Sequence, residues 1–182
     1  MHQTITRGST MLGDLDLLIG DETQELQEME APEGELFLKF KVTTGEQFAL
    51  PAVSVVEVMS IGPEKITPMP NVAPVLLGTL NLRGEIIWVA DLGQFLGISP
   101  PLNVDRTELP VVAVMEQQDL LMGLAVDLIV GMEWLKTESV RPAFTAPEAM
   151  APFLRGEWMV AETGSTLPLL DQSAILRSNH WG

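Results

Sequence analysis

Two aspartates, Asp91 and Asp171, are the residues of this sequence with the clearest potential for chemistry. Each follows an apolar run and precedes a short segment with helical spacing. Two carboxylates that lie close together can act as a general acid and a general base. Alternatively, each carboxylate accepts hydrogen bonds from the first backbone amides of the helix that follows it. Because the two aspartates occupy equivalent places in an internal repeat, we expect each to cap its own helix.

Other groups that could carry catalysis or bind a metal are scarce. The sequence contains no cysteine, and its two histidines, His2 and His180, lie near the termini. These counts exclude disulfides, thiolate metal sites and thiol nucleophiles, and a His-dependent triad would have to be built from a chain end. No glycine-rich phosphate loop occurs. We therefore predict that the chain is not an enzyme and that it holds no metal and no cofactor.

The charge of the chain is strongly negative. Its 182 residues include 10 Lys and Arg and 25 Asp and Glu, for a formal net charge of -15. Binding to nucleic acid is excluded because a phosphate backbone requires a basic surface. Binding to an anionic membrane surface is disfavoured for the same reason.

The negative charge is concentrated at the N-terminus. Residues 1–35 hold nine acids and one base, so they carry -8, and the remaining 147 residues carry -7. We predict an acidic, flexible arm over 1–35 ahead of a folded domain. Within the arm, the segment Met11–Ile19 interleaves apolar residues with Asp14 and Asp16. This segment is either a solvated leader or a short amphipathic helix that docks on another chain.

No part of the sequence is suited to enter a membrane. Its first residues lack a basic region followed by an apolar run, and the longest apolar stretch, 120–135, is interrupted by Asp127 and Glu133. We expect no signal peptide, no direct membrane insertion and a cytoplasmic location.

The domain begins with a strand, a turn and a returning strand. Leu36, Leu38, Phe40 and Val42 alternate with more polar residues, which is the period of two that a half-buried strand requires. A polar turn follows, and Pro51 ends the returning strand.

The next segment, 52–59, is mainly apolar and is either a buried strand or a short helix that leads into one. It contains a single ionisable residue, Glu57. The next segment, 61–74, holds four prolines and is predicted to be an irregular connection.

The second half of the domain repeats the first. Residues 111–126 match residues 37–52 at an offset of 74, and Asp171 matches Asp91. The repeat predicts two small barrels of about five strands each, with lobes at about 36–100 and 108–178 and short helices after the aspartates. Trp88 and Trp158 fall inside predicted strands and are expected in the core.

Two charged residues stand out against this apolar pattern. Arg83 lies at a turn between two apolar segments, so its guanidinium must reach a carboxylate, solvent or a partner. We expect either a partner contact or a pair with Glu85 or Glu57. Matching Leu82–Glu85 to Leu154–Glu157 at an offset of 72 makes Arg155 the counterpart of Arg83. The counterpart of Glu57 is Gly131, so the repeat itself does not require the acid.

An ordered set of segments resembles the CheW family. Residues 81–92 read Asn-Leu-Arg-Gly-Glu-Ile-Ile-Trp-Val-Ala-Asp-Leu, which is similar to the family's Asn-Leu-Arg-Gly turn, apolar strand and Asp-Leu pair. Further similar segments are Val55-Val56-Glu57-Val58, Ile66-Thr67-Pro68-Met69-Pro70, Phe153-Leu154-Arg155-Gly156 and Leu170-Asp171. The resemblance covers about residues 36–178.

The resemblance implies a non-enzymatic adaptor built from two five-stranded, SH3-like barrels. Such adaptors couple a CheA-type histidine kinase to methyl-accepting chemoreceptors. A groove between the barrels would take the hairpin tip of the receptor, and one barrel edge would contact the regulatory domain of the kinase. The partner contacts would include Glu57 and Arg83, with their neighbours Val55 and Leu82.

Other functions stay open at this point. The same fold serves as an adaptor in type IV pilus or phototaxis motility, and as the regulatory module of a kinase. Against a detached kinase module, the sequence shows no phosphotransfer helix with a histidine and no nucleotide-binding motif. The remote alternative is an enzyme that uses Asp91 and Asp171 as an acidic pair.

Overall fold

A computed structural model of the chain describes residues 31–117 and 119–181. The elements described below belong to the unit Gly34–Gly182. The predicted amphipathic segment Met11–Ile19 lies outside the described residues.

Within the described part of the unit Gly34–Gly182, ten β-strands form the framework of the fold. They are β1 (Glu35–Lys41), β2 (Gln47–Pro51), β3 (Val55–Ile61), β4 (Leu76–Leu82), β5 (Glu85–Asp91), β6 (Leu109–Glu116), β7 (Leu120–Ala125), β8 (Leu128–Leu135), β9 (Leu154–Val160) and β10 (Ser165–Leu170). Two short helices, α1 (Leu92–Phe95) and α2 (Gln172–Leu176), follow β5 and β10. Single 3-10 turns lie at Ala52–Ser54, Pro63–Lys65, Thr137–Ser139, Ala151–Phe153 and Asn179–Trp181. The prediction of an all-β fold with short helices is confirmed.

The strands form two five-stranded sheets with the same internal order. Sheet A runs β8-β1-β2-β10-β9, and sheet B runs β3-β6-β7-β5-β4. The central pairs, β2 with β10 and β7 with β5, are parallel, whereas the other neighbours are antiparallel. The two five-stranded units predicted as small barrels are therefore present as two five-stranded sheets.

The two sheets do not coincide with the lobes expected at about 36–100 and 108–178. The β1–β2 hairpin of the first half joins β8, β9 and β10, and the β6–β7 hairpin of the second half joins β3, β4 and β5. Each half therefore contributes to both sheets. This exchange places β2 and β7 at the centre of a sheet, which suits their nearly continuous apolar sequences, QFALP and LLMGLA.

The register of the strands tests the repeat residue by residue. In the first hairpin Leu38 pairs with Leu50, and in the equivalent hairpin Val112 pairs with Leu124, which confirms the offset of 74. Glu57 opposes Ala113 and Gly131 opposes Lys39, so Gly131 is the counterpart of Glu57 as predicted.

The predicted match between Arg83 and Arg155 is wrong. Leu80 pairs with Ile87 in sheet B, and Trp158 pairs with Leu167 in sheet A, so β4 matches β9 at an offset of 78 rather than 72. Arg155 therefore corresponds to Leu77. The two Leu-Arg-Gly runs are not equivalent, because one leads into the turn after β4 whereas the other opens β9.

The described residues form three apolar clusters, and one of them joins the two sheets. The largest is shared by both sheets and the helices, with Phe40 and Phe48 from sheet A and Val112 and Leu124 from sheet B among its fully buried residues. Sheet B has a second cluster of eleven buried residues, and sheet A has a smaller one of five. Shared burial of this kind suits two repeats that would each be marginal alone.

One core prediction fails. Trp158 is buried, but Trp88 is 38% exposed. The alternation of β5 explains the difference, because Ile87 and Val89 face the core and Ile86 and Trp88 face outward.

Within the described residues, the helices are all too short and too polar to cross a membrane. The same part of the chain brings no three His, Cys, Asp or Glu side chains together in a group that could hold a metal ion.

Candidate functional site

The chain crosses between the two sheets at two places. After β2 it passes through the 3-10 turn Ala52–Ser54 into β3, and the Ser54 hydroxyl donates a buried hydrogen bond of 2.7 Å to the Pro51 carbonyl. After β7 it passes through Val126 and Asp127 into β8, and these amides donate to the carbonyls of Pro110 and Lys41. Strands β3 and β8 therefore start at fixed crossovers.

Large apolar side chains face outward along both of these strands and the first crossover. We call this set the crossover strip: Val53, Val56, Val58, Leu128, Val130, Met132 and Trp134. Each of its members is at least 42% exposed, and Val53 is 94% exposed. β3 and β8 are also edge strands of their sheets. Exposed apolar side chains gathered on strand edges are typical of a surface that contacts another protein.

The β8 part of the crossover strip was missed in the sequence. Its signal was present, because every second residue of LIVGMEWL from Leu128 to Trp134 is a large apolar residue. Alternation shows that such residues share a face, but it does not say whether that face is covered. The tertiary structure leaves this face uncovered within the described residues.

Arg83 sits at the tip of the two-residue turn between β4 and β5. Arg83 and Gly84 both have positive φ angles, 52° and 91°, and the side-chain oxygen of Asn81 accepts a hydrogen bond of 2.8 Å from the Gly84 amide. Positive φ at both central positions suits the right-handed twist of a hairpin, but it is unfavourable for arginine. The turn thus holds Arg83 in a strained conformation with a side chain that is 78% exposed.

The structure brings together Arg83 and Glu57, two of the residues expected to contact partners. Nη2 of Arg83 lies 3.1 Å from Oε2 of Glu57, whose side chain is 29% exposed. Of the two acids considered for Arg83, Glu57 is therefore the one that pairs. Oε2 accepts no aligned hydrogen bond, so the contact is an ion pair alone. Oε2 of Glu57 is buried, but the Arg83 side chain is mostly exposed, so solvent screens the pair and its contribution to stability is small.

Leu82 and Val55, the neighbours of the charged pair in the sequence, are more buried than Arg83 and pack against the cores. Leu82 is 7% exposed and belongs to the core of sheet B, so the structure does not support its expected contact with a partner. The alternation of β4 requires this, because Leu80 and Leu82 face inward while Asn81 faces outward. Val55 is half-buried and packs against the shared core at the start of β3.

Asp91 and Asp171 are both N-caps. Oδ1 of Asp91 accepts a hydrogen bond of 3.1 Å from the Gln94 amide, and Oδ1 of Asp171 accepts one of 3.1 Å from the Ala174 amide. Asp91 is fully buried, and its second oxygen accepts from the Leu102 amide at 2.7 Å.

The second oxygen of Asp171 instead faces Arg155, with Nε 3.7 Å away. Each carboxylate is thus engaged by the helix that follows it and by one further neighbouring group. This arrangement stabilises the helices and offers no free acid–base pair.

A further ion pair joins the C-terminal helix to the β6–β7 hairpin. Nε of Arg177 donates to Oε2 of Glu116 at 2.8 Å, and Nη2 donates to Gln117. The hydrogen bond from Arg177 lowers the pKa of Glu116 below its ordinary 4.5, against the opposing effect of desolvation. The same bond raises the pKa of Arg177. The sequence pattern gave no sign of this pair, since 61 residues separate the partners.

Comparison with known proteins identifies what this arrangement resembles. A family model described as CheW-like domain matches residues 37–180. Protein PilI of Pseudomonas aeruginosa is 32% identical over 114 residues, which are 62% of this chain and 61% of that protein. Chemotaxis protein CheW of Thermotoga maritima is 35% identical over 74 residues, 41% of this chain and 46% of that protein. Protein FrzA of Myxococcus xanthus is 27% identical over 148 residues, 81% of this chain and 88% of that protein.

The match to PilI and to the Thermotoga CheW thus spans about half to three-fifths of those proteins. Among solved structures, the scaffolding protein TtCheW from Thermoanaerobacter tengcongensis is similar, with a TM-score of 0.67 and 22% sequence identity. That likeness covers 82% of this chain and 96% of the other, and it shows a shared fold.

Proposed function

This chain belongs to the CheW-like domain family, and from that premise we propose that it couples a CheA-type histidine kinase to methyl-accepting chemoreceptors. The family is one of chemotaxis-type adaptors and scaffolds. The observation that carries the proposal is the crossover strip, an exposed apolar surface on two edge strands that the core of the fold does not need. Such an adaptor would act in the cytoplasm.

The crossover strip suits the hairpin tip of a receptor. An amphipathic helix binds a protein surface by laying its apolar face against exposed apolar side chains. Val56 and Val58 on β3 and Val130 and Met132 on β8 occupy equivalent positions of the repeat and are all exposed. Each of the two equivalent rows is a suitable surface for one apolar helix face of a hairpin.

The edge of sheet B suits the regulatory domain of the kinase. β3 offers an edge for strand pairing, and the Glu57–Arg83 ion pair lies beside it. Charges at the rim of an interface set orientation and association rate more than affinity. We infer that this pair orients the kinase domain on the edge, since Arg83 is exposed and free to rearrange toward a partner carboxylate.

A second signalling pathway is a candidate for this adaptor. Relatives named PilI and FrzA are similar to this chain as well as proteins named CheW. An adaptor of the same fold in a type IV pilus or phototaxis motility pathway is therefore the alternative, and the identity of neighbouring genes would distinguish it. The remote alternative of an acidic-pair enzyme has no support from Asp91 and Asp171, because both are engaged as helix caps.

A reconstituted signalling assay tests the proposal. Arg83→Ala is expected to lower receptor-dependent activation of the cognate kinase at least tenfold, while the circular dichroism spectrum stays that of the natural chain. Arg155→Ala is the matched control, because it removes an exposed arginine from sheet A and should leave coupling unchanged. Normal coupling by Arg83→Ala would contradict the proposed role of the sheet B edge.

The receptor surface needs a test of its own. Met132→Asp places a charge on the crossover strip and is expected to reduce binding of a receptor fragment that contains the hairpin tip. Unchanged binding would exclude the strip as the receptor surface.

A further inference from the structure

The turn between β4 and β5 is anchored at both of its ends. Leu82 and Glu85 pair across it, and the Leu82 side chain is buried in the core of sheet B. The direction in which the Arg83 side chain leaves the hairpin therefore depends on the backbone of the two turn residues, Arg83 and Gly84. Both have φ angles in the left-handed region, 52° and 91°.

Arginine does not favour this backbone conformation by itself. The left-handed region is disfavoured for most L-residues by a factor of about 5–30 in population. The residues usual at the first central position of such a turn are asparagine, aspartate and glycine. A turn with Arg83 at this position therefore depends on another contact to keep the left-handed form populated.

The side chain of Asn81 supplies such a contact. Its Oδ1 accepts a hydrogen bond of 2.8 Å from the Gly84 amide, three residues further along the chain. An asparagine that accepts from a nearby backbone amide in this way favours a turn. Asn81 is exposed, because Leu80 and Leu82 on either side of it face the core. Its side chain can therefore be truncated without leaving a cavity in the core.

The repeat shows that the fold does not require this arrangement. In the equivalent hairpin of sheet A, the four residues 161–164 connect β9 to β10, and the counterpart of Asn81 is Met159. The acid of the ion pair, Glu57, has Gly131 as its counterpart. Sheet B therefore combines an asparagine, a two-residue turn and an acid that the equivalent positions of sheet A do not have. Strained backbone that the fold does not need is typical of binding sites.

We propose that Asn81 is a positioning residue, which holds the Arg83 guanidinium ready for a carboxylate of the kinase. This inference rests on the proposed function, because it concerns how the edge of sheet B receives that partner. Without the hydrogen bond from Gly84 to Asn81, the competent turn becomes a minor population of the free chain. The apparent affinity then falls in proportion to that population. The complex, once formed, still holds Arg83 in the same place, so its lifetime changes little.

The kinetics of binding to the regulatory domain of the kinase test this role. We expect Asn81→Ala in the full chain to lower the association rate constant about fivefold or more, and to change the dissociation rate constant less than about twofold. Asn81→Asp keeps an oxygen acceptor for the Gly84 amide and should restore association. Asn103→Ala is the matched control, because Oδ1 of Asn103 accepts an exposed hydrogen bond of the same length, 2.8 Å, from the Asp105 amide of another loop. It should leave both rate constants unchanged.

The order of the turn is measured separately in the free chain. Nuclear magnetic resonance order parameters of the Arg83 and Gly84 amides should fall from about 0.85 in the natural chain to below about 0.6 in Asn81→Ala, and they should recover in Asn81→Asp. Asn81→Gln, which displaces the acceptor, replaces Asn81→Ala if circular dichroism shows that the latter does not fold.

Four results would overturn the positioning role of Asn81. They are an unchanged association rate in Asn81→Ala, unchanged order parameters in that variant, no recovery in Asn81→Asp, or a faster dissociation, which would place Asn81 in direct contact with the kinase. A natural chain that does not bind the kinase domain would instead overturn the proposed function, and the order parameters would then still show whether Asn81 holds the turn.

Discussion

Arg83 and Glu57 form an ion pair of 3.1 Å although β3 and the β4–β5 turn belong to opposite edges of sheet B. A second contact joins the same edges, because Thr67, in the connection after β3, pairs with Thr79 of β4 through two backbone hydrogen bonds. The backbone bridge therefore ties the connection after β3 to β4, whereas the ion pair joins side chains only. This division suggests that the ion pair can be changed without unfolding the protein.

Arg83→Asn should separate function from stability. Asparagine tolerates a left-handed backbone better than arginine, so relief of strain offsets loss of the ion pair. We expect the free energy of unfolding to stay equal or rise by up to about 1 kcal/mol, while receptor-dependent kinase activation is lost. Urea denaturation and the signalling assay measure the two effects. A clear loss of stability would show that the ion pair is structural.

The two helix caps should differ in strength despite their equivalent positions. Asp91→Ala leaves the amides of Gln94 and Leu102 without their acceptor in a buried site, and we expect a loss of about 2–4 kcal/mol. Asp171→Ala removes one partly exposed cap and should cost about 1 kcal/mol. Urea denaturation of both variants provides the comparison. Equal losses would mean that the bond to Leu102 contributes nothing.

Gly78 and Gly131 have nearly the same φ angle but different surroundings. Alanine substitution at each position therefore distinguishes the cost of backbone strain from the cost of a close contact. Gly78 has φ 143° and Gly131 has φ 145°, but a Cβ on Gly78 would lie 2.2 Å from the Thr67 carbonyl oxygen, whereas one on Gly131 would meet open space. Gly131→Ala should cost about 1–2 kcal/mol from backbone strain. Gly78→Ala should cost at least about 2 kcal/mol more, because the Thr67–Thr79 bridge must move. Similar thermal midpoints for the two variants would refute the effect of close contact.

The Glu116–Arg177 pair predicts a stability change in acid. The folded state lowers the pKa of Glu116, so the pair stabilises the protein above the ordinary value of 4.5, and this contribution is lost as the pH falls through the lowered pKa. Denaturation between about pH 3 and 6 should therefore show a weaker dependence on pH in Glu116→Gln than in the natural chain. Glu108→Gln serves as the control, because the Glu108 carboxylate of the natural chain accepts a hydrogen bond from the Ser60 hydroxyl rather than from an arginine. Identical profiles for the natural chain and Glu116→Gln would contradict the prediction.

Much of the local structure could be read from the sequence. The alternation of Leu36 to Val42, the turn before Gln47 and the aspartates that precede short helices all depend on neighbouring residues, and the structure has the corresponding strands, turn and helices. The resemblance to the CheW family, carried by residues 81–92, also agrees with the family match over 37–180. Short-range spacing was sufficient here because strand period and capping are local properties.

The tertiary structure alone determines which strands pair with each other. The exchange of hairpins between sheets, the offset of 78 for β9, the burial of Leu82 and the exposure of Trp88 depend on partners far away in the sequence. So does the Glu57–Arg83 pair. The physical reason is that alternation assigns a side chain to one face of a strand, whereas packing against distant strands determines whether that face becomes core, site or open surface.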